Sequence, residues 1–309
     1  NLYIGPTLTL TNYNLTEHRH TDGDFEYGLT TNETTTSSTP GATTVTATEI
    51  YFDRNRYQNA KVTLDSGHTG ENPYGGAMCY AGTSTMGNTV SQNTLTIDGL
   101  DMDLGPSRLS KFSGGYTQSN VGDATKNEVI LKNSLAKYSG YGGTDVYGGW
   151  ANKGNATDNT VTLAGMQQFG NSSYAPRLYG GFSNNASADV KTGNTLQVTA
   201  KGNHASTISN FEKMRYVLGT GIASGDTMLQ VYANPPSGTQ SFEWDKITVK
   251  GLSDWVASLG INNPTAVLYN GPGLTLNNYS PSLVGTVSDY EFGKQANGTL
   301  SGTTMTGAS

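Results

Sequence analysis

A glycine pair beside an aromatic residue, followed at a near-constant distance by an asparagine and an alternating apolar stretch, recurs along the middle of this chain. Tyr74-Gly75-Gly76 is followed by Asn88-Thr89-Val90, and Phe112-Ser113-Gly114-Gly115-Tyr116 by Asn127-Glu128-Val129. Tyr147-Gly148-Gly149-Trp150 is followed by Asn159-Thr160-Val161, and Tyr179-Gly180-Gly181-Phe182 by Asn194-Thr195-Leu196. The glycine pairs start at 75, 114, 148 and 180, and the second glycine precedes the asparagine by 12, 12, 10 and 13 residues. Self-similarity with a period of roughly 20–50 residues marks solenoids and related arrays, in which each unit buries what its neighbour leaves exposed.

The stretch after each asparagine alternates: Val90, Leu95 and Ile97, then Val129 and Leu131, Val161 and Leu163, Leu196 and Val198. Side chains alternate across a strand, so these residues share one interior while Thr, Lys and Gln face outwards. The glycine pair suits a backbone corner that needs positive φ or close approach to the next coil. The asparagine suits a left-handed turn or a hydrogen-bonded ladder between coils. Helical periodicity is confined to Leu252–Leu259, ending at Gly260, with Ser253 as the expected N-cap. The expected fold is all-β: a right-handed parallel β-helix with decorating loops and strands and one short helix.

Composition agrees. Charged residues make up only 14% of the chain while it holds 18 tyrosines, which argues for packed structure rather than charge-driven disorder. A pI of about 5.2 and the lack of a dense Lys/Arg cluster argue against nucleic acid as a partner. The longest apolar run is about four residues, against the ~18 needed to cross a membrane as a helix. The lone Cys79 rules out an internal disulfide and a zinc site built on several thiolates, and reads as a buried filler. No signal peptide is visible, and the chain opens in mid-pattern, so both ends read as processing boundaries.

A longer period encloses the short one. Leu2-Tyr3-Ile4-Gly5-Pro6-Thr7-Leu8-Thr9-Leu10-Thr11-Asn12-Tyr13 returns as Leu268-Tyr269-Asn270-Gly271-Pro272-Gly273-Leu274-Thr275-Leu276-Asn277-Asn278-Tyr279, an offset of 268 − 2 = 266 residues. Asp24-Phe25-Glu26-Tyr27-Gly28 likewise returns as Asp289-Tyr290-Glu291-Phe292-Gly293. Four zones follow: strands and polar loops over 1–73, solenoid coils over 74–233, a linker with the short helix over 234–266, and the start of a second long unit over 267–309. Thr34–Thr48 reads as an exposed loop where partner contacts would fall.

The Tyr-Gly-Gly and Asn-Thr-Val repeats resemble the passenger regions of bacterial autotransporters (type V secretion), large β-helical surface adhesins. The block Phe211-Glu212-Lys213-Met214-Arg215-Tyr216-Val217-Leu218, running on to Gly225-Asp226-Thr227-Met228-Leu229-Gln230-Val231, is similar to a recurrent block of that class, with Gly219 where the class commonly has Pro. Ile247-Thr248-Val249, the Trp255 helix and Ala266-Val267-Leu268-Tyr269 continue the resemblance, which spans roughly 74–290. It implies a cell-surface protein of a Gram-negative bacterium, exported through an outer-membrane barrel outside this chain.

Four groups of residues carry candidate chemistry. Asp98, Asp101 and Asp103 offer paired carboxylates of the kind glycoside hydrolysis needs, or oxygens for Ca²⁺, but read first as a solvated turn. Asp22 and Asp24 form a second acidic pair, of which only Asp24 has a counterpart in the second copy, Asp289 against Val287 for the other. His18 and His20 would share a strand face, yet the matching stretch around Leu283 has no histidine, and His68 and His204 are isolated. Tyr116, Tyr147, Trp150, Tyr179 and Phe182, with Tyr74 and Tyr141, could stack coil on coil or present sugar-binding surfaces. No catalytic group, metal or cofactor is expected. The expected role is a non-enzymatic adhesive stalk that contacts a glycan or protein receptor on host or bacterial cells. The alternatives are a repeat of an extracellular filament that associates end to end, and a β-helix polysaccharide lyase or glycosidase.

Overall fold

Val129 and Leu131, Val161 and Leu163, and Leu196 and Val198 are wholly buried in successive strands, while Ile130 and Gln197 between them are only partly so. The period-two pattern therefore sets one face of a strand inwards. The computed structural model describes residues 3–10, 20–22, 24–35, 45–65, 78–99, 111–136, 144–168, 175–235, 240–243, 246–272, 274–277, 298–301 and 304–307. Most of these form a parallel β-solenoid of about four turns with one short helix.

Two large sheets wall the solenoid. The first, here the asparagine sheet, stacks Lys61–Asp65, Thr94–Asp98, Glu128–Ala136, Thr160–Gln168, Thr195–Val198, Lys213–Val217 and Ile247–Lys250, all parallel. The second, the glycine sheet, stacks Met78–Ser84, Lys111–Thr117, Asp145–Ala151, Arg177–Ser183 and Thr207–Ser209. A narrow third ladder of Val90–Ser91, Ala124–Thr125 and Ala156–Thr157 turns the corner between them. Rows of like residues run up the interior: Leu95, Val129, Val161, Leu196, Met214 and Ile247 from one sheet face Cys79, Phe112, Val146, Leu178 and Ile208 from the other. The stacked strands extend on both sides of 74–233.

The register corrects the frame of the first coil. Gly82 pairs with Gly115, so Ala81-Gly82 stands where the other coils have their glycine pair; Gly75-Gly76 lies outside the described residues. Likewise Thr94 pairs with Glu128, which makes Asn93, not Asn88, the equivalent of Asn127. Val90 belongs to the corner ladder, paired with Ala124. The second glycines then fall at 82, 115, 149 and 181, at steps of 33, 34 and 32, a more even period than the sequence reading gave.

Asn93, Asn127, Asn159 and Asn194 are at most 1% exposed and form a polar spine. Each side-chain oxygen accepts from the backbone N–H of the asparagine one coil earlier: Asn93 to Asn127 at 3.2 Å, Asn127 to Asn159 at 3.0 Å, Asn159 to Asn194 at 2.8 Å. Each Nδ2 donates back to a corner carbonyl of the preceding coil, as Asn127 does to Val90 and Asn159 to Ala124, both at 2.9 Å. The ends are closed as well. Ala60 N–H donates to Asn93 Oδ1, and Asn194 Nδ2 donates to the carbonyls of Val190 and Asn210. Buried amides are stabilising only when so satisfied. The left-handed conformation sits one residue before each asparagine, at Gln92, Lys126, Asp158 and Gly193, with φ of 58°, 57°, 58° and 72°.

The glycine pairs at 114–115, 148–149 and 180–181 are not corners. They lie buried inside strands of the second sheet, and none has positive φ among the described residues. Their role is close approach. A Cβ on Gly82 would sit 2.3 Å from Asn93 Cγ, one on Gly115 2.6 Å from Asn127 Cγ, and one on Gly149 2.6 Å from Asn159 Oδ1. The second glycine is thus the space the asparagine occupies. One level up, Glu212 precedes Lys213 where an asparagine would stand, and Asn210-Phe211 follow Ser209 where the glycines would stand.

Beyond this spine the architecture changes. Asn203–Ala205, Thr227–Val231 and Thr265–Asn270 form a further parallel stack, onto which Thr304–Gly307 and Gly298–Ser301 add antiparallel. The helix Leu252–Leu259 ends at Gly260 as expected, but Gly251, not Ser253, is its N-cap, with φ 71° and no side-chain cap bond. Its buried Trp255 donates Nε1–H to the Ile222 carbonyl at 2.8 Å. Before the solenoid, Tyr3–Leu10, Val45–Arg56, Phe25–Thr35 and His20–Asp22 form an antiparallel sheet. Thr34 and Thr35 pair with Thr46 and Val45 in this sheet, so the ends of the expected loop are strand; residues 36–44 lie outside the described residues.

Candidate functional site

The outer face of the glycine sheet gathers the aromatic residues singled out in the sequence. Tyr116, Trp150 and Phe182 share one register row, and Tyr147 and Tyr179 another. Plain alternation would send Tyr147 and Trp150, three residues apart, to opposite faces. The intervening glycine pair interrupts that alternation, and the two rings meet at 4.7 Å between centroids. Tyr147 and Tyr179 stack at 4.9 Å and 18°, and Trp150 meets Phe182 edge-on at 4.6 Å. Tyr80 extends the cluster through Tyr116 at 5.6 Å. Tyr147 and Trp150 are 4% and 8% exposed, so their ring faces are spent on neighbouring rings. The stacking expected of these residues is therefore present, coil on coil. Tyr74 and Tyr141 lie outside the described residues.

A charged column borders the rings. Lys111, Asp145 and Arg177 occupy one register position in three successive coils. Asp145 is buried, and accepts from Arg177 Nε at 2.5 Å and from the Tyr147 hydroxyl at 3.1 Å. Lys111 Nζ lies 4.8 Å from the Trp150 ring centroid, a cation–π distance. Burial, and then the Asp145 charge, push the Tyr147 and Tyr179 hydroxyls above the ordinary tyrosine range. For Arg177, burial is the largest single influence and opposes the charge, but the bond to Asp145, the Asp145 charge and the neighbouring tyrosines together outweigh it and the net shift is upwards. Trp150 Nε1 is buried with no hydrogen-bond partner among the described residues.

Compared with protein-family models, curated proteins and solved structures, the chain matches none. Its chemistry therefore rests on its own residues.

Asp98 is engaged rather than free. Lys132 Nζ lies 3.1 Å from its Oδ2 and Asn133 Nδ2 3.3 Å from Oδ1, and the bond from Lys132 foremost holds its carboxyl below the usual range. Asp101 and Asp103 lie outside the described residues. Asp24 accepts from Asn59 Nδ2 at 3.0 Å and pairs with Arg56 at 3.4 Å. His204 Nδ1 lies 2.6 Å from the Tyr232 hydroxyl, and burial lowers its pKa. His20 lies in a strand of the antiparallel sheet, and His18 and His68 are outside the described residues. Cys79 is buried, and burial pushes its thiol up to about 12, so it stays protonated at neutral pH. Among the described residues no group of three or more His, Cys, Asp or Glu is placed to hold a metal ion. What the structure brings together is aromatic and structural. The sequence reading missed the Lys111–Asp145–Arg177 column, although all three residues stand three positions before the first glycine of their pairs.

Proposed function

We propose that this chain is a non-catalytic scaffold segment, a rod-forming stalk of a bacterial cell-surface adhesin of the autotransporter type. The observation that carries the reading is the asparagine spine. The amides of Asn93, Asn127, Asn159 and Asn194, one in each of four successive coils, point inwards and are consumed in holding one coil on the next. A stack built in this way grows by about 4.8 Å per coil and gains length and stiffness rather than a reaction centre. The return of the Leu-Tyr-x-Gly-Pro element after 266 residues supports a repeated unit, and the resemblance of the glycine–asparagine repeats supports the surface class. Repeated units on a stiff support raise avidity for a glycan or protein receptor without a strong single contact.

The test is imaging of the purified chain by electron microscopy, beside a chain of two tandem units. Rods whose length doubles with the unit number are expected. Compact particles of unchanged length, or cleavage of a polysaccharide panel by the wild-type chain, would overturn the reading.

A further inference from the structure

The Leu-Tyr-x-Gly-Pro-x-Leu-Thr-Leu element adopts two different pairings. In the second copy, Thr265–Asn270 lies parallel to Thr227–Val231 and Leu274–Asn277 parallel to Gln240–Glu243. Leu268 and Tyr269 are 2% and 3% exposed, and the Tyr269 hydroxyl donates to the Pro272 carbonyl. Gly271 has φ 137°, and a Cβ there would lie 2.0 Å from the Val231 carbonyl oxygen, so only glycine fits. In the first copy, Tyr3–Leu10 instead runs antiparallel to Val45–Arg56.

The demands of the parallel seat are met by both copies. Leu268, Tyr269, Gly271, Pro272 and Leu274 correspond to Leu2, Tyr3, Gly5, Pro6 and Leu8. The change from Asn270 to Ile4 falls at an exposed position and gives up the solvent-facing bond from Asn270 Nδ2 to Gln230 Oε1 at 2.7 Å. In the antiparallel pairing Gly5 and Pro6 fall in the irregularity between Ile4 and Leu8, which accounts for the glycine and the proline; the match of Leu2, Tyr3 and Leu8 to Leu268, Tyr269 and Leu274 is what points to the parallel seat. We propose that the edge formed by Thr227–Val231 and Gln240–Glu243 is a seat for this element from either copy. Tyr3–Leu10 is then the strand by which one unit joins the solenoid end of another unit of the same sequence, exchanging its antiparallel partner for the parallel seat. The partner is a second copy of this unit, and the mode is parallel strand addition. The inference rests on the scaffold reading and names the contact that would make units continuous.

Two experiments test it on the full chain. In the first, residues 268–279 are replaced by residues 2–13. The chimera is expected to keep its β-sheet circular dichroism and to melt within a few degrees of the parent; loss of the fold, or a large fall in Tm, overturns the proposal. In the second, Gly271→Val blocks the chain's own occupant, and a synthetic peptide of residues 1–13 is titrated in. The peptide is expected to bind at least tenfold more tightly than its Gly5→Val form, and the variant chain to self-associate in a manner that adding Gly5→Val abolishes. A folded, monomeric Gly271→Val chain that binds no peptide overturns the proposal; if that variant does not fold, the chimera decides. A stable chimera with hinged two-unit particles in the microscope would uphold the seat and sink the stalk. Straight rods with an unfolded chimera would do the reverse.

Discussion

Between Asn93 and Asn194 the interior of the stack is lined chiefly by Val, Leu and Ile, with Phe112 among them, beside one line of amides, whereas beyond Asn194 it is filled by Phe211, Met214, Tyr216, Trp255 and Tyr269. The two regions fix their register by different means. In the first, a one-residue slip would strand a buried amide and drive it into a strand that lacks its glycine, so polar satisfaction enforces alignment. In the second, large side chains of unlike shape fit in one way only, and the helix adds Leu252 and Trp255 as wedges. Repetition serves where every coil is to be the same. Irregular packing serves where the stack receives a helix and changes its strand partners.

Substitutions can break this contrast in order of severity. Trp255→Ala should cost most, about 3–5 kcal/mol, because it opens a large cavity and orphans the Ile222 carbonyl. Denaturant titration checks it, and a cost under about 1 kcal/mol would show that the second region does not depend on shape. Asn127→Ala should follow at ~3 kcal/mol, since it leaves the Asn93 and Val90 backbone groups unpaired in the interior. The same change at Asn194 should cost about as much, since its Oδ1 accepts from the Asn159 N–H and its Nδ2 serves the Ala156, Val190 and Asn210 carbonyls, and a negligible loss there would argue against the spine. Gly149→Ala should cost ~1–3 kcal/mol by overpacking against Asn159. Adding Asn159→Ala to it should cost less than the sum of the two single changes, as a double-mutant cycle would reveal.

Asp98→Asn should do least, because the Lys132 pair is solvent-facing and screened. Its sign with pH is fixed. The folded carboxyl titrates below the unfolded one, so any benefit is fully present above the unfolded value of about 3.9 and is lost as pH falls through the folded value. Melting curves of wild type and variant should therefore converge in acid; divergence there would contradict the Lys132 assignment.

Much of the solenoid was legible in the sequence because its rule is local. Val129 and Leu131, or Val161 and Leu163, announce an inward strand face without knowledge of the partner. The first coil misled because Asn88-Thr89-Val90 and Asn93-Thr94-Leu95 carry the same signature five residues apart, and only burial of the Asn93 amide decides between them. The glycine pairs are conspicuous in the sequence but read there as corners, since the atom each makes room for lies ten or more residues away on another strand. At the candidate site the rings were legible, but the Asp145–Arg177 pair was not, because it joins residues 32 apart that meet only once the register is known.

The fit of each second glycine to its asparagine carries a consequence for descent. The two positions form one heritable unit. A glycine replaced alone collides with the amide, and an asparagine replaced alone leaves a void and broken bonds. New coils would thus arise by duplication of whole segments more readily than by stepwise change. A coil that abandons one partner is released from the other, as at Asn210-Phe211 and Glu212, where both have gone together.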